Sequence, residues 1–393
     1  MGLFVGLVYG IVAPNWVPAI KPFQGLFLHG VKCAIAPLIF STIVTGIASA
    51  GSFKQLGLMG LRTFVYFEVI TTLALAIGLL VVNFLRPGVG IHFSVAKTES
   101  ISSIASTKIS YNWFIEHLLP SNFADAVVRG DVLQIVIFST IFAFAVLAIG
   151  EKAKPVLIFC ESLADIMFKF VNYIMYLAPL GVCAALATAV AENGWQVVVP
   201  LLKLVGTLYL ALALFVFVVL LPVCRIFKIP ALAFAKQIKD PVIWAFATTS
   251  SESAYPMALE RLEAFGVPRR VASFVLPMGY SFNLDGSTLY LSLASVFVAQ
   301  VAGIELSISQ QILIMLTLML TTKGVAAVPR TSIVVLSGTL TAFGLPLEGV
   351  ALILGVDAFM DMGRSAINLL GNCLATAVIA RSEGVILNKT RFY

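Results

Sequence analysis

The chain has 393 residues, 60% of them hydrophobic and 11% charged, with a net charge of +6 and a mean hydropathy of +1.02. A soluble domain carries about 25% charged residues, so composition sets aside a large soluble α-protein and makes lipid the solvent for most of the surface. The basic residues sit in short gaps between apolar segments and form no nucleic-acid-binding cluster, and five scattered cysteines without CxxC or Cys/His spacing define neither a disulfide framework nor a zinc site.

In chain order, apolar stretches of helix-spanning length lie near 2–20, 24–50, 63–85, 130–149, 155–190, 197–227, 270–300 and 349–380. About 20 apolar residues cross a bilayer, so eight spans are predicted. The first stretch, MGLFVGLVYGIVAPNW, lacks the basic n-region of a signal peptide and reads as the first membrane helix. The polar stretch 89–129 reads as an external loop leading into an irregular fourth helix, and Pro179 and Pro222 are placed to kink or end helices.

The stretches 229–266 and 308–346 are interrupted by TTSSES at 248–253 and TTKGVAAVPRTS at 321–332. Their arms reach about 12–20 Å at 1.5 Å per residue, short of the roughly 30 Å of hydrocarbon. Both read as re-entrant hairpins, which are tolerated where their tips are buried in protein or line a cavity. Helix ends meeting at membrane depth offer positive dipole ends to an anion and free carbonyls to a cation. Hairpin plus helix at 229–300 is followed by hairpin plus helix at 308–380, a repeat of layout that points to a transporter site. Lys54, Arg62, Lys152, Lys154, Arg225, Lys228, Lys236, Lys239, Arg261, Arg269, Arg270, Arg381, Lys389 and Arg391 fall on one side of this weave, against Lys21, Arg86, Lys97 and Lys108 on the other. The positive-inside bias therefore predicts both termini in the cytoplasm.

Two segments carry chemistry. GYSFNLDGSTLY, at 279–290, interrupts a predicted helix with Asn283, Asp285 and Gly286; carbonyls freed there, with the Asp285 carboxylate, suit a hard cation such as Na⁺, and the plainer alternative is a kinked helix with a hydrogen-bonded Asp. In the last span, Asp357, Asp361, Ser365, Asn368 and Asn372 recur at helical spacing on one stripe, with Arg364 in reach. Ionisable groups at membrane depth cost roughly 3 kcal/mol each or more unless partnered or facing a watery cavity, so the stripe marks a site. His29, His92 and His117 have no metal spacing and read as structural.

FATTSSESAYP, GYSFNLDGSTLY, TTKGVAAVP and GVDAFMDMGRSAINLLGN, in this order and spacing, resemble the dicarboxylate/amino acid:cation symporter family, as do APLIF at 36–40, YFEVITT at 66–72 and the LRPG ending the third helix. The resemblance implies an all-α polytopic membrane protein: eight transmembrane helices plus two re-entrant hairpins in inverted repeats, working as an elevator in a homotrimer. It implies scaffold and trimerisation helices at 1–60 and 89–194, and a transport unit of helix 3 (61–88), helix 6 (195–228) and the core 229–393. Arg364 would pair with a substrate side-chain carboxylate and Asp361 with its α-ammonium. Ser250, Ser251, Ser365 and Asn368 would hold the α-carboxylate or line its pocket, with Ser287 and with Val328 and Pro329 in the second-hairpin lid. Asn283, Asp285 and Asp357 would belong to cation sites or their support, Asn283 and Asp285 being metal ligands only if the ion is Na⁺.

Asp361 favours glutamate or aspartate over a C4-dicarboxylate, which has no ammonium to answer; the plainer alternative is that Asp361 pairs with Arg364. Sodium-coupled relatives typically have an acid where this chain has Asn372, and hydroxyls where it has Phe67 and Ile70, although Thr71 remains. The chain looks more like the bacterial proton-coupled glutamate/aspartate symporters. We therefore expect H⁺ coupling, with Na⁺ as the alternative, and no bound cofactor. Glu68 and Glu252 are the candidate proton carriers, since desolvation raises a carboxyl pKa; structurally, Glu252 could instead cap its hairpin and Glu68 pair with a neighbouring helix. Arg330, after VP, adds positive charge to the anion site, balances Glu252 or faces solvent. The sequence thus reads as a symporter of L-glutamate and L-aspartate in a bacterial inner membrane, contacting lipid and no nucleic acid. A C4-dicarboxylate symporter and an anion channel are the alternatives, and no HExxH or GxSxG motif suggests an enzyme.

Overall fold

A computed structural model describes residues 2–49, 58–89, 122–129, 132–194, 198–322 and 331–386. Among them every regular element is helical, as the hydropathy pattern predicts. Among the described residues four helical stretches are long and apolar enough to cross a membrane: Pro14–Thr45, Leu58–Leu85, Val198–Ile226 and Arg269–Val301. The segment predicted at 349–380 is one helix, Glu348–Ser382, 35 residues long with the charged stripe in its middle.

Several boundaries differ from expectation. The first two spans, expected to part near 20–24, part at 13–16: α1 (Gly2–Val12) ends before a single turn at Pro14–Trp16, and α2 runs from Val17 to Ser49. Pro18 lies in the first turn of α2, where a missing N–H costs least, while Pro22 and Pro37 stand inside the helix. The expected span 155–190 is two helices, α6 (Lys154–Met175) and α7 (Ala178–Asn193), with Pro179 in the first turn of the second. Pro222 likewise follows a wide turn at Val216–Leu220. The first arm of the first hairpin, α10 (Ala231–Thr248), has 18 residues, about 27 Å, longer than predicted because the charged stretch around Lys236, Lys239 and Asp240 is helical too. Its return arm is α11 (Tyr255–Ala264). The second hairpin has arms α14 (Ile308–Thr321) and α15 (Thr331–Ala342); its tip, with Val328, Pro329 and Arg330, lies outside the described residues, as does most of the loop expected at 89–129.

The helices pack as two groups. In one, α1 and α2 pack with α5 (Val132–Ile149), α6 and α7. In the other, α3 (Leu58–Leu85), α8 (Val198–Phe215), the hairpins, and the pair α12 (Arg269–Phe282) and α13 (Asp285–Val301) surround α16 (Glu348–Ser382). The groups meet where α15 lies on α2 and where α7 touches α16. Apart from Gln300, every residue of α13 is buried, which is why Asp285 to Val301 shows no polar face.

Polar ties brace both ends of α3. At one end Arg62 donates to Glu383 and to the Ser382 carbonyl, each at 2.9 Å. At the other Asn83 donates to Gln311 at 2.6 Å, and Gln300 links the Val82 carbonyl to the Gly88 N–H. Within the first hairpin Arg261 pairs with Asp240 at 2.9 Å across the arms. The chain reverses there through Thr249 at φ +54°, a left-handed conformation rare for a β-branched residue.

α13 and α16 approach so closely at Gly286 that a Cβ there would stand 2.5 Å from the Arg364 carbonyl oxygen. Gly286→Ala is expected to cost about 1–3 kcal/mol by overpacking, read as a lower midpoint in thermal unfolding of the detergent-solubilised protein. Gly25→Ala, with nothing within 4 Å of the added carbon, is the control and is expected to leave the midpoint unchanged or raised.

Candidate functional site

Arg364 is the largest fully buried side chain among the described residues. One of its terminal nitrogens, Nη2, donates to Asp357 Oδ1 at 3.0 Å and to Asp361 Oδ1 at 2.9 Å. The spacing makes this possible, since Asp361 lies one turn and Asp357 two turns before the arginine on one helix face. The guanidinium carbon also sits 4.0 Å from the ring centre of Tyr290 on α13, a cation–π contact worth about 2 kcal/mol when desolvated. Its Nε and Nη1 have no hydrogen-bond partner among the described residues. The result is a buried cation with two carboxylates on one edge, an aromatic face beside it and two unused donors.

One turn further along α16, Asn368 completes a different structure. Its Oδ1 accepts the N–H groups of Gly286 at 2.8 Å and Ser287 at 3.2 Å, and its Nδ2 donates to Ser287 Oγ at 3.0 Å. These N–H groups belong to the first turn of α13, whose own N-cap position is Leu284 and offers no side-chain acceptor. An asparagine from another helix therefore caps it. Ser287 and Asn368, both expected at the substrate, bond to each other beside Arg364; Ser365, between Arg364 and Ala366, is buried.

The helix breaks at Asn283 and Leu284, where φ and ψ leave the helical region, as Asn283, Asp285 and Gly286 predict. Asn283 Nδ2 donates to Asp285 Oδ2 at 3.0 Å and to Asn372 Oδ1 at 3.1 Å. All three side chains are fully buried, so the break and α16 are joined by a carboxylate–amide–amide knot with the Asn283 amide at its centre. Gly371 packs directly on the Asp285 carboxylate and Gly279 directly on the Asn372 amide.

The remaining expected residues are more dispersed. At the first-hairpin tip Ser250 Oγ accepts from the Ser253 N–H at 3.2 Å, and Tyr280 donates to the Ser251 carbonyl at 3.2 Å, which anchors the tip to α12. Ser251 is buried, Ser250 half-buried and Glu252 exposed. On α3 Thr71 is buried, its hydroxyl without a hydrogen-bond partner among the described residues, and Glu68 is half-buried. Asp357, expected in the cation sites or their support, bonds to Arg364. Tyr290 and Tyr280 were missed as site residues, although both lie in the segment at 279–290; an aromatic in an apolar helix carries no mark of what its ring faces.

A family profile described as the sodium:dicarboxylate symporter family matches residues 1–382. The chain is 43% identical over 385 residues to the C4-dicarboxylate transport protein of Bacillus subtilis (strain 168), covering 97% of this chain and 91% of that protein. It is 42% identical over 394 residues to the proton/sodium-glutamate symport protein of Geobacillus stearothermophilus, covering 97% and 94%. It is 41% identical over 395 residues to the proton/glutamate-aspartate symporter of Escherichia coli (strain K12), covering 98% and 90%.

Removing the borrowed cap should separate its role from that of a simple ligand. Asn368→Ala leaves two N–H groups and a hydroxyl buried without their partner and is expected to cost about 1–3 kcal/mol in thermal unfolding. Asn368→Asp keeps the acceptor for both N–H groups and is expected to recover most of that loss.

Proposed function

The chain belongs to the sodium:dicarboxylate symporter family, and from that premise we propose that it is a secondary active symporter importing glutamate or aspartate with a coupling cation across a bacterial inner membrane. It is a carrier and not an enzyme. The observation that carries the substrate reading is the buried juxtaposition of Arg364 with Asp361. An acidic amino acid brings a carboxylate and an ammonium, and Arg364 Nε and Nη1 are the donors left to meet the first. Asp361 answers the second. Binding then exchanges an internal ion pair for two ligand pairs, so neither charge is left buried alone, an arrangement that would otherwise cost several kcal/mol.

In this reading Asp357 holds the guanidinium in register while Asp361 turns to the substrate. Ser250, Ser251, Ser365, Asn368 and Ser287 line the α-carboxylate end, and Val328 and Pro329 belong to the lid. The coupling ion is H⁺ by preference, with Na⁺ as the alternative, and Glu68 and Glu252 carry the proton. The group around Glu348–Ser382 moves as an elevator against the group around Val17–Ser49 in a homotrimer of eight-span protomers with both termini in the cytoplasm.

C4-dicarboxylate symport is the second reading. It is favoured by the pairing of Asp361 with Arg364 at 2.9 Å, which leaves Asp361 satisfied without an ammonium. A relative at 43% identity named as a C4-dicarboxylate transport protein also supports it.

Reconstituted liposomes given labelled aspartate, glutamate and succinate under separate H⁺ and Na⁺ gradients test both readings. Asp361→Asn is expected to weaken aspartate uptake at least about tenfold, since losing one partner of a buried charge pair costs about 2–5 kcal/mol, while sparing succinate if succinate is carried. Aspartate uptake intact in Asp361→Asn would leave the amino acid reading without support. Glu68→Gln or Glu252→Gln is expected to remove the response to a pH gradient yet keep counterflow exchange of labelled aspartate; an anion channel would show no counterflow at all.

A further inference from the structure

Between Asp285 Oδ2 and Asn372 Oδ1 the helix break holds a hydrogen-bond donor, the wrong polarity for a metal ion at that point. Asp285 Oδ2 can only accept, so the atom of Asn283 that meets it at 3.0 Å is the amide nitrogen. That nitrogen has two hydrogens, and the second goes to Asn372 Oδ1 at 3.1 Å. A hard cation collects several oxygens around one point. Here two oxygens from different helices do converge, and the group at their focus is an N–H₂.

The surroundings point the same way. The Gly279 carbonyl accepts from the Asn283 N–H at 2.9 Å, and the Leu284 carbonyl accepts from both the N–H and the hydroxyl of Thr288. The Asn372 carbonyl accepts from Thr376 at 2.8 Å. Asn372 Nδ2, a donor, is left without a hydrogen-bond partner among the described residues where an acid would present a second oxygen. Gly279 and Gly371 lie flat against the Asn372 and Asp285 side chains, so no spare volume separates the knot from the backbone. The charge of Asp285 is also answered without a cation: it stands in the first turn of Asp285–Val301, where the helix dipole favours an anion.

We infer that the Asn283 amide occupies the place of a coupling cation at the helix break, and that Asn372, by accepting from it, excludes sodium from this locus. This deepens the H⁺ preference proposed above and rests on the symport reading for its meaning, but not for its test. Two variants undo the knot in opposite ways. Asn372→Asp sets two carboxylates around one amide, an excess of negative charge that a cation relieves. Asn283→Ala removes the surrogate and frees an Asp285 oxygen and Asn372 Oδ1.

Thermal unfolding of the detergent-solubilised full chain is compared in NaCl and choline chloride at about 100 mM, with no substrate present. The wild type is expected to give the same midpoint in both salts, while Na⁺ raises the midpoint of either variant by about 3 °C or more. A Na⁺ response in at least one variant that the wild type lacks supports the inference. A response in the wild type, or none in all three proteins, overturns it; simple structural damage lowers a midpoint without sodium rescue. Wild-type uptake of labelled aspartate, measured in parallel, reports on the substrate reading alone.

Discussion

A guanidinium with no exposed surface, in the middle of a helix bundle whose outer solvent is lipid, is the constraint on which this protein is built. An unpaired charge there would cost several kcal/mol, so Arg364 dictates its neighbours. Asp357 and Asp361 must lie on the same face of Glu348–Ser382, within one and two turns, and both bond to it. Tyr290 must bring its ring from the facing helix, which in turn requires the backbone of that helix to come close. Gly286 permits the approach, against the Arg364 carbonyl itself.

That close approach creates a second demand. A helix that starts inside the protein, at Asp285, exposes first-turn N–H groups where no water is assured, and the residue before it is a leucine. Asn368 meets the demand from the neighbouring helix, one turn beyond Arg364. The knot of Asn283, Asp285 and Asn372 closes the other side of the break, one turn further on. The buried arginine cluster, the helix cap and the knot at the break are thus successive turns of a single helix, and a shift of that helix would disturb all of them together. This coupling suits a carrier, whose binding site must be complete before it moves.

Much of this was legible in the sequence for definite reasons. Composition identifies the solvent, since 11% charge cannot clothe a soluble surface. Helical spacing puts Asp357, Asp361, Ser365, Asn368 and Asn372 on one stripe. Asn283, Asp285 and Gly286 mark the break because each disfavours a continuous helix. The elements that misled did so through local averages: the charged stretch of Ala231–Thr248 looked unfit for a long arm, and Lys21 with Pro22 looked like a loop, although both are helical.

The sequence by itself determined that the chain lives in lipid, which helix carries the charges, where the second site helix breaks and which family the motifs resemble. Only the tertiary structure decided who meets whom. Periodicity along one helix orders the groups on its face but holds no information about the atoms across from it, so the Tyr290 ring over Arg364, the Asn368 cap on Asp285–Val301 and the Asn283 amide between Asp285 and Asn372 could not be read in advance.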